Sequence, residues 1–221
     1  MMQIILTDVT YMSGTHICIA GMDIAGNRMV RPLLANRHWT TRQLGQQGFT
    51  TGAVVDFNPA NHNLTGNNPH LTEDMAVAAN YQVVRQMTDA QIHGHTNGGL
   101  TQDLDLYFQF DNPQSPKRYV ADGKSVPSLG GIVVTPDAVR FYETSWNKLR
   151  CTFSTANGQT YDFPVTSISL RDIWKANGIA ALRTHVAGHD DVELRIGLAR
   201  GWSPSGGALL CYAQLNNMLL L

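Results

Sequence analysis

Residues 149–167, LRCTFSTANGQTYDFPVTS, carry the clearest structural signal in the chain. Apolar and polar residues alternate on both sides of Asn157-Gly158, and the apolar ones are Leu149, Cys151, Phe153, Tyr161, Phe163 and Val165. An Asn-Gly pair between two such segments is the strongest short-range signal for a β-hairpin, because both residues accept the positive φ angles of a tight turn. The stretch therefore predicts two antiparallel strands with one buried face.

Short apolar or alternating segments recur along the chain, separated by turn residues. They lie at 3–11, 15–23, 28–33, 52–59, 130–144, 193–200 and 208–219. Helical signals are few: Thr88 can cap a short helix over 88–95, and Ser169 and Asn177-Gly178 delimit a second at 169–177. About ten strands with one or two short helices predict a mostly β protein, built from two modules rather than one βαβ sheet.

Composition excludes several classes of protein. Of 221 residues, 43% are hydrophobic and 15% charged, with a net charge of −1. This apolar share argues against a disordered chain, and the near-neutral charge argues against a histone-like or polybasic binder. A polar, proline-rich stretch at 111–128 predicts a domain boundary, with one module at 1–112 and the other at 113–221.

The cysteines and the apolar segments indicate in which cellular compartment the protein works. Cys18, Cys151 and Cys211 are odd in number, and each lies in an apolar segment, which favours buried thiols in a reducing environment. The N-terminus lacks the pattern of a secretory signal, and no apolar run approaches 18 residues. We therefore expect a cytoplasmic protein without a membrane segment.

Five landmarks read together resemble one family. They are HICIAGMDIAGNRMVRPL at 16–33, HLTEDMAV at 70–77, SLGGIVVTPDAVRF at 128–141, the hairpin stretch at 149–167, and LRIGLARGWSPSGGALLCYAQLNNM at 194–218. Their order and content resemble the dual OB-fold domain proteins of bacteria and archaea, most of which have no assigned activity. The resemblance implies two tandem small OB-like β-barrels and, by analogy with other OB folds, nucleic-acid binding. This chain departs from it in a small-residue loop at 201–208 and an apolar end, MLLL.

A candidate nucleic-acid surface lies within 117–150. Binding to single strands needs cations along the phosphates and exposed aromatic faces for the bases. The segment offers Lys117, Arg118, Arg140, Tyr142, Trp146, Lys148 and Arg150. Arg140 and Tyr142 share one face of a strand and Phe141 takes the other. The alternative is a solvated strand face whose aromatic residues belong to the core.

Further candidates for nucleic-acid contacts are Arg31, near the end of an early strand, and Arg200 with Trp202, just before the Gly/Ser-rich loop. Backbone N–H groups in such a loop can cradle a phosphate, although the residues of a P-loop do not follow. Turn chemistry alone also explains the loop.

Metal and catalytic motifs are weak. His185 and His189 have i, i+4 spacing, but Gly188 and the lack of a following glutamate remove the zincin signature. His70, Glu73 and Asp74 offer an acid–base cluster that a turn explains equally well. We predict no metal ion and no cofactor, and the sequence does not favour an enzyme.

The sequence thus favours a non-enzymatic nucleic-acid-binding module for single-stranded DNA or RNA. It would work within a larger microbial assembly. The proteins that generally accompany the family suggest a defence or repair setting. One alternative is a protein–protein adaptor whose barrels dock a partner enzyme, which the low charge and the apolar C-terminus suit; we expect a protein partner or an oligomer. A second is a nucleotide sensor that uses the loop at 201–207.

Overall fold

The computed structural model describes residues 1–35, 37–45, 48–64, 66–203 and 206–221. These ranges are mostly β, as predicted. The strands are β1 (Met2–Tyr11), β2 (His16–Asp23), β3 (Arg28–Leu33), β4 (Trp39–Thr40), β5 (Ala53–Pro59), β6 (Asp74–Gln86), β7 (Tyr119–Ala121), β8 (Leu129–Val134), β9 (Val139–Glu143), β10 (Leu149–Ser154), β11 (Thr160–Pro164), β12 (Val192–Leu198) and β13 (Leu210–Leu220). The helices are α1 (Asp89–Thr96), α2 (Leu104–Phe108) and α3 (Ile168–Val186).

Five strands close the first barrel. β1 pairs antiparallel with β2 and β5, β2 with β3, and β5 with β6, while β3 and β6 run parallel. The circular order β1-β2-β3-β6-β5 is that of the five-stranded Greek-key OB barrel. The short strand β4 adds to β2. β1, β2 and β3 thus form an antiparallel meander at the N-terminus.

Aromatic side chains fill the interior of the first barrel. Trp39 packs edge-on against Phe49, with 5.0 Å between ring centroids, and against Tyr81 at 5.8 Å. Its indole Nε1 donates a hydrogen bond of 2.9 Å to the carbonyl of Pro32. The polar atom of the ring is therefore satisfied inside the core, which a buried tryptophan requires.

The second barrel repeats this order, with β8 and β9 acting as one long first strand. β9, β10 and β11 form an antiparallel meander, and β12 pairs with both β8 and β13. β11 meets β13 at a single parallel bridge, Val165–Leu215. The predicted hairpin is confirmed, and Gly158 has φ 82° in its turn. OB-like barrels therefore form both halves, as the family resemblance implied.

A strap at residues 116–118 completes the wall between β11 and β13. Asp162 of β11 donates its N–H to the carbonyl of Pro116, and Ala213 of β13 donates to the carbonyl of Arg118. The strap belongs to the proline-rich stretch at which the sequence predicts the domain boundary. Leu104 and Phe108, which precede that stretch, pack in the core of the second barrel. The division at residues 112 and 113 itself stays a prediction.

Capping side chains explain where the helices begin. Thr88 caps α1, as predicted, by accepting a hydrogen bond from the N–H of Gln91. α3 is capped by Ser167 and not by Ser169. Gly178 has φ 76° and kinks α3, which continues beyond the predicted stop because Leu182 and Val186 still pack in the second core. No helix in the described ranges is long and apolar enough to cross a membrane.

The apolar C-terminal residues belong to β13 and lie between the barrels. Leu219 is fully buried and packs with Ile5 of β1, Val54 of β5 and Ile92 of α1. The apolar end, which the sequence allowed to cover a barrel edge or a partner, therefore covers the outer side of the first barrel of its own chain.

Asn217 of β13 joins the two barrels through polar contacts. Its Nδ2 donates to the carbonyl of Thr7 over 2.7 Å and to the hydroxyl of Thr51 over 2.9 Å. Its Oδ1 accepts from the hydroxyl of Ser167 over 3.2 Å. This amide is buried and bonded on both sides, so it fixes the register of β13 against β1.

We expect Asn217→Ala to lower the free energy of unfolding by about 1–3 kcal/mol, because buried partners in both barrels lose their hydrogen bonds. Urea denaturation measures this as a lower midpoint with an unchanged slope. Asn80→Ala, at an exposed position of β6, is the control. Equal midpoints for the two variants would contradict a joining role for Asn217.

Candidate nucleic-acid interface

The outer face of the sheet formed by β9, β10 and β11 carries much of the predicted surface. Arg140 is exposed and Tyr142 half-buried, whereas Phe141 between them is buried in the core. Arg150 of β10 lies opposite Tyr142, and Thr152 lies opposite Arg140. These side chains therefore share one face of the sheet, as the alternation predicts.

Asp162 of β11 organises the centre of this face. Arg150 donates from Nε to its carboxylate over 2.8 Å and from Nη2 to its carbonyl over 2.7 Å. The hydroxyl of Tyr142 donates to the same carboxylate over 2.9 Å. Burial, together with this hydrogen bond, raises the pKa of the Tyr142 phenol, so it stays a neutral donor. The charge of Arg150 is thus largely compensated within the protein.

Arg118 is more deeply buried than Arg150 and is also paired with a carboxylate of the protein. It is 4% exposed and donates to both carboxylate oxygens of Asp105, over 2.7 and 3.0 Å. Its guanidinium also lies over the ring of Tyr161, 5.0 Å from the centroid. Such a buried bidentate pair holds the strap against the barrel, so Arg118 positions the strap and is not a free cation.

Three predicted cations are exposed: Lys117, Arg140 and Lys148. Within the described ranges none of them has a carboxylate at salt-bridge distance. The two predicted tryptophans are also exposed, Trp146 by 83% and Trp202 by 60%. Single exposed apolar residues are common, but tryptophans exposed to this degree leave most of a large aromatic surface in water.

The tryptophans lie on the two loops that flank the sheet face. Trp146 and Lys148 belong to the turn between β9 and β10, and Trp202 belongs to the connection between β12 and β13. A shallow pocket of about 190 Å³ brings Trp202 together with Lys117 and Arg150. In OB folds the face of the second and third strands, with the loops between strands one and two and between four and five, is the surface that binds oligonucleotides and oligosaccharides.

The comparison with protein families agrees with this geometry. A family model described as a dual OB-containing domain matches residues 2–218. The chain belongs to this family. No curated protein and no solved structure matches it. The family's description agrees with the structure, because the strand order in each half of this dual OB protein is that of an OB fold.

The structure places the remaining two predicted site residues of this dual OB protein elsewhere, where the barrels meet. Arg31 of β3 is 4% exposed and donates to Asp74 over 2.7 Å and to the hydroxyl of Ser128 over 2.9 Å. Arg200 donates to both oxygens of Asp74, over 3.0 and 2.8 Å. Neither arginine is among the residues of the sheet face. Of the loop at 201–207 that the sequence offered for a nucleotide, residues 204–205 lie outside the described ranges.

The residues of the predicted acid–base cluster at 70–74 lie at the same contact between the barrels. Glu73 accepts from the N–H and the hydroxyl of Ser128, over 3.0 and 2.8 Å. His70 is 1% exposed, and one of its ring nitrogens, Nε2, lies 3.1 Å from the carbonyl of Ala199. Burial, helped by the nearby Arg31 and Arg200, lowers the pKa of His70 to about 3. The ring is therefore neutral and donates its Nε2–H to that carbonyl.

Arg31, His70 and Arg200 also line a cleft of about 720 Å³ between the barrels. The sequence reasoning missed this cleft, because its residues come from distant parts of both barrels. The only local signal was the polar cluster at residues 70–74.

The histidine pair at residues 185 and 189 does not form the helical arrangement that a metal site would need. His185 lies in the last turn of α3, and His189 lies beyond its end. In the part of the chain that the structure describes, no three His, Cys, Asp or Glu side chains are grouped so that they could hold a metal ion.

The lowered pKa of His70 predicts a pH-dependent stability. Between pH 6.5 and about 3 the unfolded chain binds a proton at His70 that the folded chain does not, so acidification lowers the free energy of unfolding by up to about 1.4 kcal/mol per pH unit. We expect His70→Gln, which keeps a donor for Ala199, to lose less stability than the natural chain over this range.

Denaturation at pH 7, 6 and 5 measures this difference, and His189→Gln, at an exposed position, is the control. Parallel losses in the natural chain and His70→Gln would show that His70 does not couple folding to pH.

Proposed function

We propose that this dual OB protein is a non-enzymatic module that binds single-stranded DNA or RNA on the outer face of its second barrel. One observation carries the proposal: two highly exposed tryptophans, Trp146 and Trp202, lie on the two loops that flank the strand face on which OB folds bind oligonucleotides. The module would act within a larger microbial assembly.

The side chains on this face suit a single strand better than a duplex. Bases of a single strand are free to stack, and a tryptophan accepts any base because every base has a flat π face. Lys117, Arg140 and Lys148 supply three exposed positive charges for the phosphates. Asp162 would hold Tyr142 and Arg150 in place as polar contacts to bases or sugars.

The charge on this face also limits the affinity. Three phosphate contacts give a dissociation constant on the order of micromolar, and a slope of log K against log salt of about −2, since a single strand contributes about −0.7 per contact. Binding of this strength suits a module whose affinity is increased by neighbouring domains or partners.

We expect Trp146→Ala and Trp202→Ala each to weaken the binding of a single-stranded 12-mer about tenfold, because each removes the stacking of one base, about 1–3 kcal/mol. Fluorescence anisotropy at fixed salt measures the affinity. Leu106→Ala, which removes a side chain exposed by 77% outside this face, is the control. Unchanged affinity in both tryptophan variants would refute stacking at this face.

We expect Lys148→Ala to make the salt slope shallower by about 0.7, the contribution of one phosphate contact. The measurement is the same anisotropy titration repeated from 50 to 300 mM salt. Arg85→Ala, at an exposed position of β6 in the first barrel, provides a control of equal charge change. If the two variants change the slope equally, binding is not localised on the second barrel.

A further inference from the structure

The cleft between the barrels lies on the face of the first barrel that corresponds to the proposed strand-binding face of the second barrel. It is bordered by Cys18 of β2, Arg31 of β3 and His62 of the connection between β5 and β6. In the first barrel these are the second and third strands and the loop between strands four and five, which together form the ligand face of an OB fold. Thr166, Leu198 and Asn216 of the second barrel border the cleft as well. Its volume of about 720 Å³ is in the range of sites for small molecules.

Two almost fully buried side chains that line the cleft each keep an acceptor atom without a partner among the described residues. Asp8 is 2% exposed, and its Oδ2 accepts from Thr7 over 2.6 Å while its Oδ1 has no partner. His70 uses Nε2 on the carbonyl of Ala199, and its Nδ1 has no partner. A buried acceptor without a donor costs free energy, so unpartnered groups of this kind are rare. A donor that enters from the cleft would satisfy both atoms.

Burial raises the pKa of Asp8, even though Arg195 and Arg31 oppose the shift, while Glu193 adds to it. A ligand N–H group beside Oδ1 would favour the ionised carboxylate. The neutral ring of His70 presents a lone pair at Nδ1, which also accepts from an N–H group. Both atoms can therefore accept hydrogen bonds from N–H groups of one ligand.

The charged residues that line the cleft call for an anionic part of the same ligand. Four arginines line it against two aspartates: Arg31, Arg37, Arg171 and Arg200, with Asp8 and Asp122. Arg31 and Arg200 already share Asp74. Arg37 is exposed, and Arg171 lies over the ring of Tyr11, 5.0 Å from its centroid. Within the described ranges neither of these two has a salt-bridge partner, so both are available to a phosphate.

We propose that the cleft between the barrels binds a nucleotide whose base carries an exocyclic amino group. Asp8 and His70 accept hydrogen bonds from the base, and Arg37 and Arg171 contact the phosphate. A neutral sugar would leave the arginines without an anion, and a free amino acid would fill only a small part of the cavity. This site is separate from the strand-binding face of the second barrel, and neither proposal depends on the other.

Pairs of nucleotides that differ only at the amino group test the base contact. AMP is compared with IMP and CMP with UMP by isothermal titration calorimetry, because each pair exchanges an amino group for a carbonyl. We expect the amino member of at least one pair to bind about tenfold more tightly or better. If no nucleotide binds, or if both pairs bind without preference, the proposal is overturned.

Asp8→Asn tests which residue reads the amino group, because it places an amide donor where the carboxylate oxygen accepts. We expect this variant to lose the preference for the amino member of the pair. Asp56→Asn is the matched control, since Asp56 on β5 also has an unpartnered carboxylate oxygen and is not among the residues that line the cleft. A preference that survives in Asp8→Asn would overturn the assignment of Asp8.

Arg37→Ala tests the phosphate contact at a position where the fold is not at risk, because the side chain is exposed. The natural chain is expected to bind AMP more tightly than adenosine, and Arg37→Ala to reduce this difference about tenfold. Arg42→Ala, another exposed arginine of the first barrel, is the control. An unchanged difference in Arg37→Ala would remove Arg37 from the site.

The same nucleotide chemistry can come from a free nucleotide or from one residue of a nucleic-acid strand. Equal affinity for AMP and for a six-residue oligoadenylate would indicate the free nucleotide. Tighter binding of the oligonucleotide than of AMP, weakened by Asp8→Asn, would indicate a strand residue. AMP affinity that is unchanged in Trp146→Ala would separate this site from the strand-binding face, and AMP binding that depends on Trp146 would overturn the second site.

Discussion

The arrangement of the two barrels depends on the buried carboxylate of Asp74. Its side chain is fully buried and accepts hydrogen bonds from Arg31 of the first barrel and from Arg200 of the second. Removing one partner of a buried ion pair leaves an uncompensated charge, which is far more costly than any surface contact. The adjacent Glu73 adds two hydrogen bonds to Ser128. The start of β6 therefore fixes how the second barrel faces the first, and with it the walls of the cleft.

This arrangement gives the two barrels different surfaces for ligands. The strand face of the second barrel is open, with its tryptophans in water, whereas the corresponding face of the first barrel is covered by its neighbour and becomes a cleft lined by buried polar groups. An open face with stacking residues suits a flexible polymer. An enclosed site with few, well-placed polar atoms suits a small molecule.

Local patterns predicted the parts of the fold that depend on local physics. Asn157-Gly158 determined a hairpin, and Thr88 determined the start of a helix, because turn angles and caps involve residues close in sequence. The pairing of charges could not be read in this way. Arg118 and Arg150 look like free cations in the sequence, but Asp105 and Asp162, 12 or 13 residues away, compensate them. The cleft was missed for the same reason, since Asp8, His70 and Arg200 meet only after both barrels have folded.

The strap at residues 116–118 has a mechanical consequence. Because β11 and β13 both donate hydrogen bonds to it, the chain that connects the barrels is also a wall element of one of them. Leu104 and Phe108, which precede the strap, already pack in the core of the second barrel. Lengthening or shortening the strap would therefore strain the wall of that barrel itself, and would not simply change the reach of a linker.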